Sequence, residues 1–254
     1  MNRWSRYWDL VVVLTRKEMK VRYKSSVLGY AWSIMNPLAF ALVLYVAFQL
    51  VVKIDIPDYP AFLICGLFPW QWLSNSLSFA PNVFLRDAQL IKKTSFPKSV
   101  LVLAHVLQDM IHFFLALPII LFFILLAGRL PSWSWIGGVP LLLVLQLLLT
   151  FGGALFLASV NLFFRDMERL TATLLILIFY CTPVLYSADM IPSSYRALVY
   201  ANPMAPIILS WRSLLLHGTL EPVPLLVASL QAVMAFIVGY GAYRRLYWRF
   251  AEVL

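Results

Sequence analysis

Six apolar runs, each about the length of one bilayer crossing, leave this chain few possible folds. They fall at roughly 32–52, 59–79, 100–127, 136–160, 170–186 and 222–243. A helix rises about 1.5 Å per residue and the hydrocarbon core is about 30 Å thick, so about 20 apolar residues suffice to span it. Backbone amides in lipid must find partners within the protein, which predicts helices rather than open sheet. The 254 residues are 62% hydrophobic and only 12% charged, with a mean hydropathy of +0.84. A soluble domain with one water-facing surface is excluded, and an all-α membrane protein with six transmembrane helices is expected.

The charges between the runs set the orientation. With a cytoplasmic N-terminus, sixteen of the twenty Lys and Arg residues fall in inside segments, leaving Lys53, Arg129, Arg196 and Arg212 outside. The positive-inside rule then predicts that both termini are cytoplasmic. The formal charge of +9 does not indicate nucleic-acid binding, because the cations are split among short segments instead of forming one basic face.

The densest cluster is Arg16, Lys17, Lys20, Arg22 and Lys24, which precedes a Ser-Ser-Val-Leu-Gly joint and the first run. Each Lys or Arg at the bilayer centre costs about 2.5–3.5 kcal/mol, so this segment stays outside the hydrocarbon. Trp4, Tyr7, Trp8, Val11 and Leu14 recur at helical spacing among the cations. Residues 3–20 are therefore predicted to form an amphipathic helix in the headgroup plane, where each basic residue gains about 1 kcal/mol from anionic lipid. Leu10 to Leu14 is too short for a signal-peptide core, so no cleavage is expected.

Three further segments stand out. The inside loop 80–99 predicts a short helix opened by Pro81 and stopped by Pro97, with Val83, Phe84, Ala88, Leu90 and Ile91 available for a groove on a soluble partner. The outside segment 187–221 is too apolar for a solvated loop and too broken by Pro192, Pro203 and Pro206 to span. It predicts two short helices dipping back toward the membrane, a re-entrant hairpin between the fifth and sixth spans. In the third span, His105, Gln108, Asp109 and His112 share one helical face. That face suits a helix contact, a water-lined path or a metal site; no third ligand is in sequence reach, and no metal is assigned. Cys65 and Cys181 both lie in apolar runs and are expected to be buried thiols.

No G-x-x-x-x-G-K-[ST], H-E-x-x-H or G-x-S-x-G motif occurs. The chain has no P-loop cradle for nucleotide phosphates, so chemical energy must come from another chain.

Arg22-Tyr23-Lys24 through Pro37-Leu38, Leu90-Ile91-Lys92-Lys93 with Phe96-Pro97-Lys98, Arg165-Asp166, Pro183-Val184-x-Tyr186, Pro192, Asn202-Pro203 and Arg212 occur in that order along nearly the whole chain. In this it resembles the permease subunits of type-2 ABC exporters of O-antigen, capsule and teichoic-acid polysaccharides. The resemblance implies a single permease domain over 1–254 in the bacterial inner membrane, a homodimer, and two copies of an ATP-binding cassette subunit. It implies no enzyme activity and no cofactor in this chain, with ATP and Mg²⁺ on the partner subunit and a lipid-linked polysaccharide as cargo. By position, 80–99 would be the coupling loop, with Asn82, Phe84, Arg86, Asp87, Leu90, Ile91 and Lys92 meeting the ATPase. Residues 1–30 would be a cytoplasmic interface helix, to which Arg16, Lys20, Arg22, Tyr23 and Lys24 belong. The segment 187–221 would be a periplasmic gate using Pro192, Tyr195, Asn202, Pro203 and Arg212.

Aromatic residues make up 15% of the chain. Trp32, Phe40, Tyr45, Phe48, Phe179 and Tyr180 are channel-lining candidates, since aromatic faces can stack on sugar rings without fixing one sugar tightly; belts at the membrane interface are the plainer use of such residues. Three other functions fit the same composition, one of them a non-catalytic membrane scaffold, for which alanine changes in 82–93 would leave transport untouched. An exporter of a drug or small lipid would not depend on polymer synthesis, and a membrane enzyme using His105, Asp109 and His112 would act without ATP.

Overall fold

A computed structural model of the chain describes residues 3–22 and 29–250. Among these residues there are eleven α-helices, joined by short 3₁₀ and π turns, and no strand. They are α1 (Arg3–Arg22), α2 (Trp32–Tyr45), α3 (Tyr59–Phe79), α4 (Val83–Arg86), α5 (Ala88–Lys93), α6 (Ser99–Leu126), α7 (Trp135–Asn161), α8 (Met167–Cys181), α9 (Arg196–Ala201), α10 (Ala205–Arg212) and α11 (Pro222–Leu246).

Helix occupies each of the six apolar runs, but among the described residues four stretches are both long and apolar enough to cross a membrane: Ile34–Val51, Ser99–Leu126, Trp135–Asn161 and Pro222–Arg249. α3 has the length, at 21 residues, but its second half carries Gln71, Ser74, Asn75, Ser76 and Ser78. α8 has only 15 residues and stops at Cys181, where Thr182 turns extended.

Two cores divide the bundle lengthwise. One joins α2, α3, α8 and α10 to the second half of α6 and the first halves of α7 and α11. The other joins α1, α4 and α5 to the first half of α6, the second half of α7 and the end of α11. The long helices therefore alternate in direction, so α1 and the 80–98 loop share one end while α10 lies toward the other. α7 and α11 approach closely because glycine faces glycine. A Cβ on Gly152 would lie 2.5 Å from the backbone of Ala235 and Phe236, and one on Gly239 would strike the carbonyl of Gly152. Small residues permit this contact in membrane helices, where backbone approach and dispersion replace the hydrophobic drive.

The 80–99 loop departs from the single helix expected. Asp87, at φ −96 and ψ 20, divides it into α4 and α5. It ends at Thr94, before Pro97, because Lys98 Nζ donates to the Ile91 and Thr94 carbonyls at 3.0 and 2.6 Å and so satisfies the last turn. Burial pushes the Lys98 ammonium below the usual lysine range.

Candidate translocation groove and coupling end

A cavity of about 510 Å³ opens between α2, α3 and α8. Phe40, Trp70, Phe179 and Tyr180 supply its aromatic surface, and Asn36, Gln71, Ser74, Asn75 and Ser78 supply amides and hydroxyls. Phe179 holds the aromatic group together, with ring centroids 6.2 Å from Phe40, 5.3 Å from Trp70 and 5.4 Å from Tyr180. Rings that offer flat apolar faces beside rotatable donors and acceptors can meet both faces of a sugar, and among the described residues no Lys, Arg, Asp or Glu lines the groove.

Three of the six aromatic candidates therefore meet here: Phe40, Phe179 and Tyr180. The others do not line this groove. Trp32 is exposed at the start of α2, Tyr45 packs toward Tyr59 with centroids 6.4 Å apart, and Phe48 packs against the core. The polar contribution of α3 was the part missed from sequence. Gln71, Ser74, Asn75 and Ser78 fall at i, i+3, i+4 and i+7, a polar stripe on an otherwise apolar helix.

The end carrying α1 is fastened by ion pairs. Lys17 reaches Asp87 at 2.5 Å, and Arg86 bridges Glu18 at 2.7 Å and Asp87 at 3.2 Å. Glu18 and Asp87 are buried although their basic partners are partly exposed. At the last turn of α1, Arg22 meets Asp109 of α6 at 2.5 Å, and Ser76 of α3 donates to the other Asp109 oxygen at 2.8 Å. Three helices thus converge on one buried carboxylate. His105 lies 3.8 Å from it, against the Phe79 ring. The His105/Gln108/Asp109 face therefore serves a helix contact, and no cluster of three or more His, Cys, Asp or Glu side chains suited to a metal ion occurs among the described residues.

This end also corrects the expected apolar contact surface of the loop. Val83, Phe84 and Ile91 are buried within the chain, and Phe84 packs on Phe250 with centroids 5.0 Å apart. Phe84 also meets Tyr243 of α11, and all three side chains belong to the core shared with α1, α6 and α7, so they are not free to fill a groove on a partner. Asn82 and Leu90 are half-buried, Arg86 is partly exposed but turned to Glu18 and Asp87, and Gln89, Lys92 and Lys93 face outward. In α1, Arg16 and Lys20 are exposed; Tyr23 and Lys24 lie outside the described residues.

The opposite end closes on Arg212. Its side chain, 5% exposed, donates Nε to the Phe62 carbonyl at 3.1 Å, Nη1 to Pro183 at 2.5 Å and Nη2 to Val184 at 2.6 Å. The guanidinium also lies 3.5 Å from the Phe62 ring centroid, and Gly66 leaves the room, since a Cβ there would sit 2.6 Å from Nη2. Expected in an outside loop, Arg212 is instead drawn inside because the chain after α8 turns away with unpaired carbonyls that a planar five-donor fork can satisfy together. One residue earlier, Trp211 donates to Gln146 at 2.7 Å and Gln146 donates to the Pro69 carbonyl at 2.8 Å. Asn202 accepts from the Met204 amide at 2.9 Å and donates to Thr182 at 2.8 Å. Pro192, Tyr195 and Pro203 are exposed. Cys65 is buried, but Cys181, at the C-terminal end of α8, is exposed, contrary to the expectation for it.

A model of the ABC-2 type transporter family matches residues 9–216, from α1 to the π turn after α10. The chain belongs to that family. Its matched span contains the 510 Å³ groove, the ion-paired end and Arg212. The chain is 45% identical over 247 residues to the O-antigen export system permease protein RfbA of Klebsiella pneumoniae, covering 97% of this chain and 95% of that protein. A protein of the same name from Myxococcus xanthus is 31% identical over 249 residues, with 97% and 95% covered. Polysialic acid transport protein KpsM of Escherichia coli is 22% identical over 237 residues, covering 92% of each.

Proposed function

We propose that this ABC-2 permease is the membrane-spanning subunit of an ATP-driven exporter of lipid-linked polysaccharide, of the O-antigen or capsule class, across a bacterial inner membrane. The observation that carries the proposal is the near-complete match, at 45% identity, to a permease named for O-antigen export. The groove adds a chemical reason, because aromatic faces beside neutral amides and hydroxyls suit a neutral, repetitive, sliding polymer better than a compact charged solute.

In this proposal the chain is one permease domain crossing the membrane six times, with α3 and α8 as the less apolar crossings and both termini cytoplasmic. The polar half of α3 can be buried in lipid only if it faces a wet path, and the groove provides one. Two permease copies and two ATP-binding cassette subunits form the working unit, and ATP and Mg²⁺ belong to those partner subunits. α1 lies at the inner leaflet as the interface helix, 80–99 carries motion from the ATPase, and 187–221 with α10 forms the outer re-entrant gate. The pairing of Lys17 and Glu18 with Arg86 and Asp87 supports α1 and the loop moving as one body. The loop surface offered to the ATPase is then Gln89, Lys92 and Lys93 with the half-buried Leu90, while Phe84 and Ile91 support it from behind.

Deleting the gene in its host and fractionating the polysaccharide tests the assignment. Lipid-linked polymer held inside, with loss from the surface, is expected. Normal surface glycan would overturn it and favour an exporter of a small lipid or drug.

A further inference from the structure

A second cavity, of about 450 Å³, lies between α1 and α6 at the ion-paired end. Its walls are almost wholly apolar, formed by Trp8, Val12 and Met19 on one side and Leu107, Met110 and Ile111 on the other. The α6 wall belongs to a helix long and apolar enough to cross a membrane. At 28 residues, or about 42 Å at 1.5 Å per residue, α6 exceeds a hydrocarbon core of about 30 Å, so part of it stands at headgroup depth. Arg16 and Lys20 lie at the cavity's edge.

The α1 cations divide by direction. Lys17 and Arg22 turn inward to Asp87 and Asp109. Arg16 and Lys20 are exposed and pair with no carboxylate within 4.0 Å among the described residues. They sit one helical turn apart, an i, i+4 pair of like charges that weakens a helix unless an anion lies between them. Trp8, 55% exposed at the other end of the cavity, presents the amphipathic ring found at headgroup level.

We propose that this groove seats one anionic phospholipid, with its phosphate between Arg16 and Lys20 and an acyl chain along Val12, Leu107 and Ile111. A free phosphate would leave the apolar walls uncovered. A second copy docked on this groove about a two-fold axis would bring four cations, Arg16 and Lys20 from each copy, into one small interface and be disfavoured. The inference rests on the proposed function only for the leaflet that α1 meets.

The test reads lipid retention without ATP or cargo, so its failure leaves the transport assignment intact, and failure of that assignment leaves the lipid site intact. The full-length chain is extracted from membranes containing phosphatidylglycerol and phosphatidylethanolamine, and retained lipids are counted by native mass spectrometry. Preferential retention of one phosphatidylglycerol, by about tenfold, is expected. The double variant Arg16→Gln, Lys20→Gln should lose that preference. Arg244→Gln with Arg245→Gln removes the same charge from exposed positions on α11 and should keep it. Val12→Trp, at a partly exposed position, fills the groove and should release the lipid with both cations intact. Equal retention of the two lipids, equal loss in both double variants, or preference for a polyprenyl diphosphate would each overturn the site.

Discussion

Where α1 meets α6 and the 80–94 loop, Lys17, Arg22 and Arg86 each reach a carboxylate. Where α10 meets α3 and α8, Arg212 reaches only carbonyls and an aromatic face. The contrast is one of solvent and consequence. Lys17 and Arg86 are each 39% exposed on the side chain, so their pairs gain little and can be broken and remade at small cost. Arg212 is buried, and withdrawing it would orphan carbonyls of the chain between α8 and α9 in an apolar setting. In the proposed transporter, the first arrangement suits an end that must take up motion and the second an end that must stay shut until the helices themselves move.

The sharpest way to break this comparison is Arg212→Leu. The variant leaves the Pro183 and Val184 carbonyls without their donor, and a stability loss of about 2–4 kcal/mol is expected. Thermal unfolding of the detergent-purified protein measures it, and a melting temperature equal to that of the parent would erase the distinction between the ends. Gln146→Leu should cost about 1–3 kcal/mol, because Trp211 Nε1 loses its acceptor in the core; the same assay reads it.

Asp109→Asn keeps the shape but removes the charge that Arg22 and Ser76 share. A loss of about 1–2 kcal/mol is expected. Its more useful readout is the ratio of ATP hydrolysed to glycan exported in the assembled complex. A rise in that ratio would tie the end of α1 to coupling, and an unchanged ratio would limit Asp109 to packing. The smallest effect belongs to Lys17 and Asp87. Lys17→Asp alone should lose less than about 1 kcal/mol, and adding Asp87→Lys should restore most of it. A double variant no better than the single would mean that neighbouring Glu18 and Arg86, not the pair itself, set the geometry.

Much of this molecule was legible before any coordinates. Apolar runs gave helices at the expected positions within a few residues, because the length and hydrophobicity that lipid demands leave a strong local signal. The broken segment after α8 was readable as two short helices because its prolines forbid one long helix. The groove was half legible: Phe40, Phe179 and Tyr180 stood out as aromatics, whereas Gln71, Ser74, Asn75 and Ser78 were visible as a stripe only once α3 was read at helical period. The fates of Phe84 and Ile91 were not legible, since an apolar side chain in a loop looks the same whether it faces its own chain or a partner.

By itself, the sequence determined an all-helical membrane protein with a basic, amphipathic first helix, since both follow from the free energy of placing each residue type in lipid or water. The tertiary structure alone decided which charges are spent inside the chain. Arg16 and Lys17 are neighbours of the same sign in sequence, yet one turns to Asp87 and the other to the cavity rim. A helix rotates each successive residue by about 100°, and only the packing of α1 on α6 determines which direction is inward.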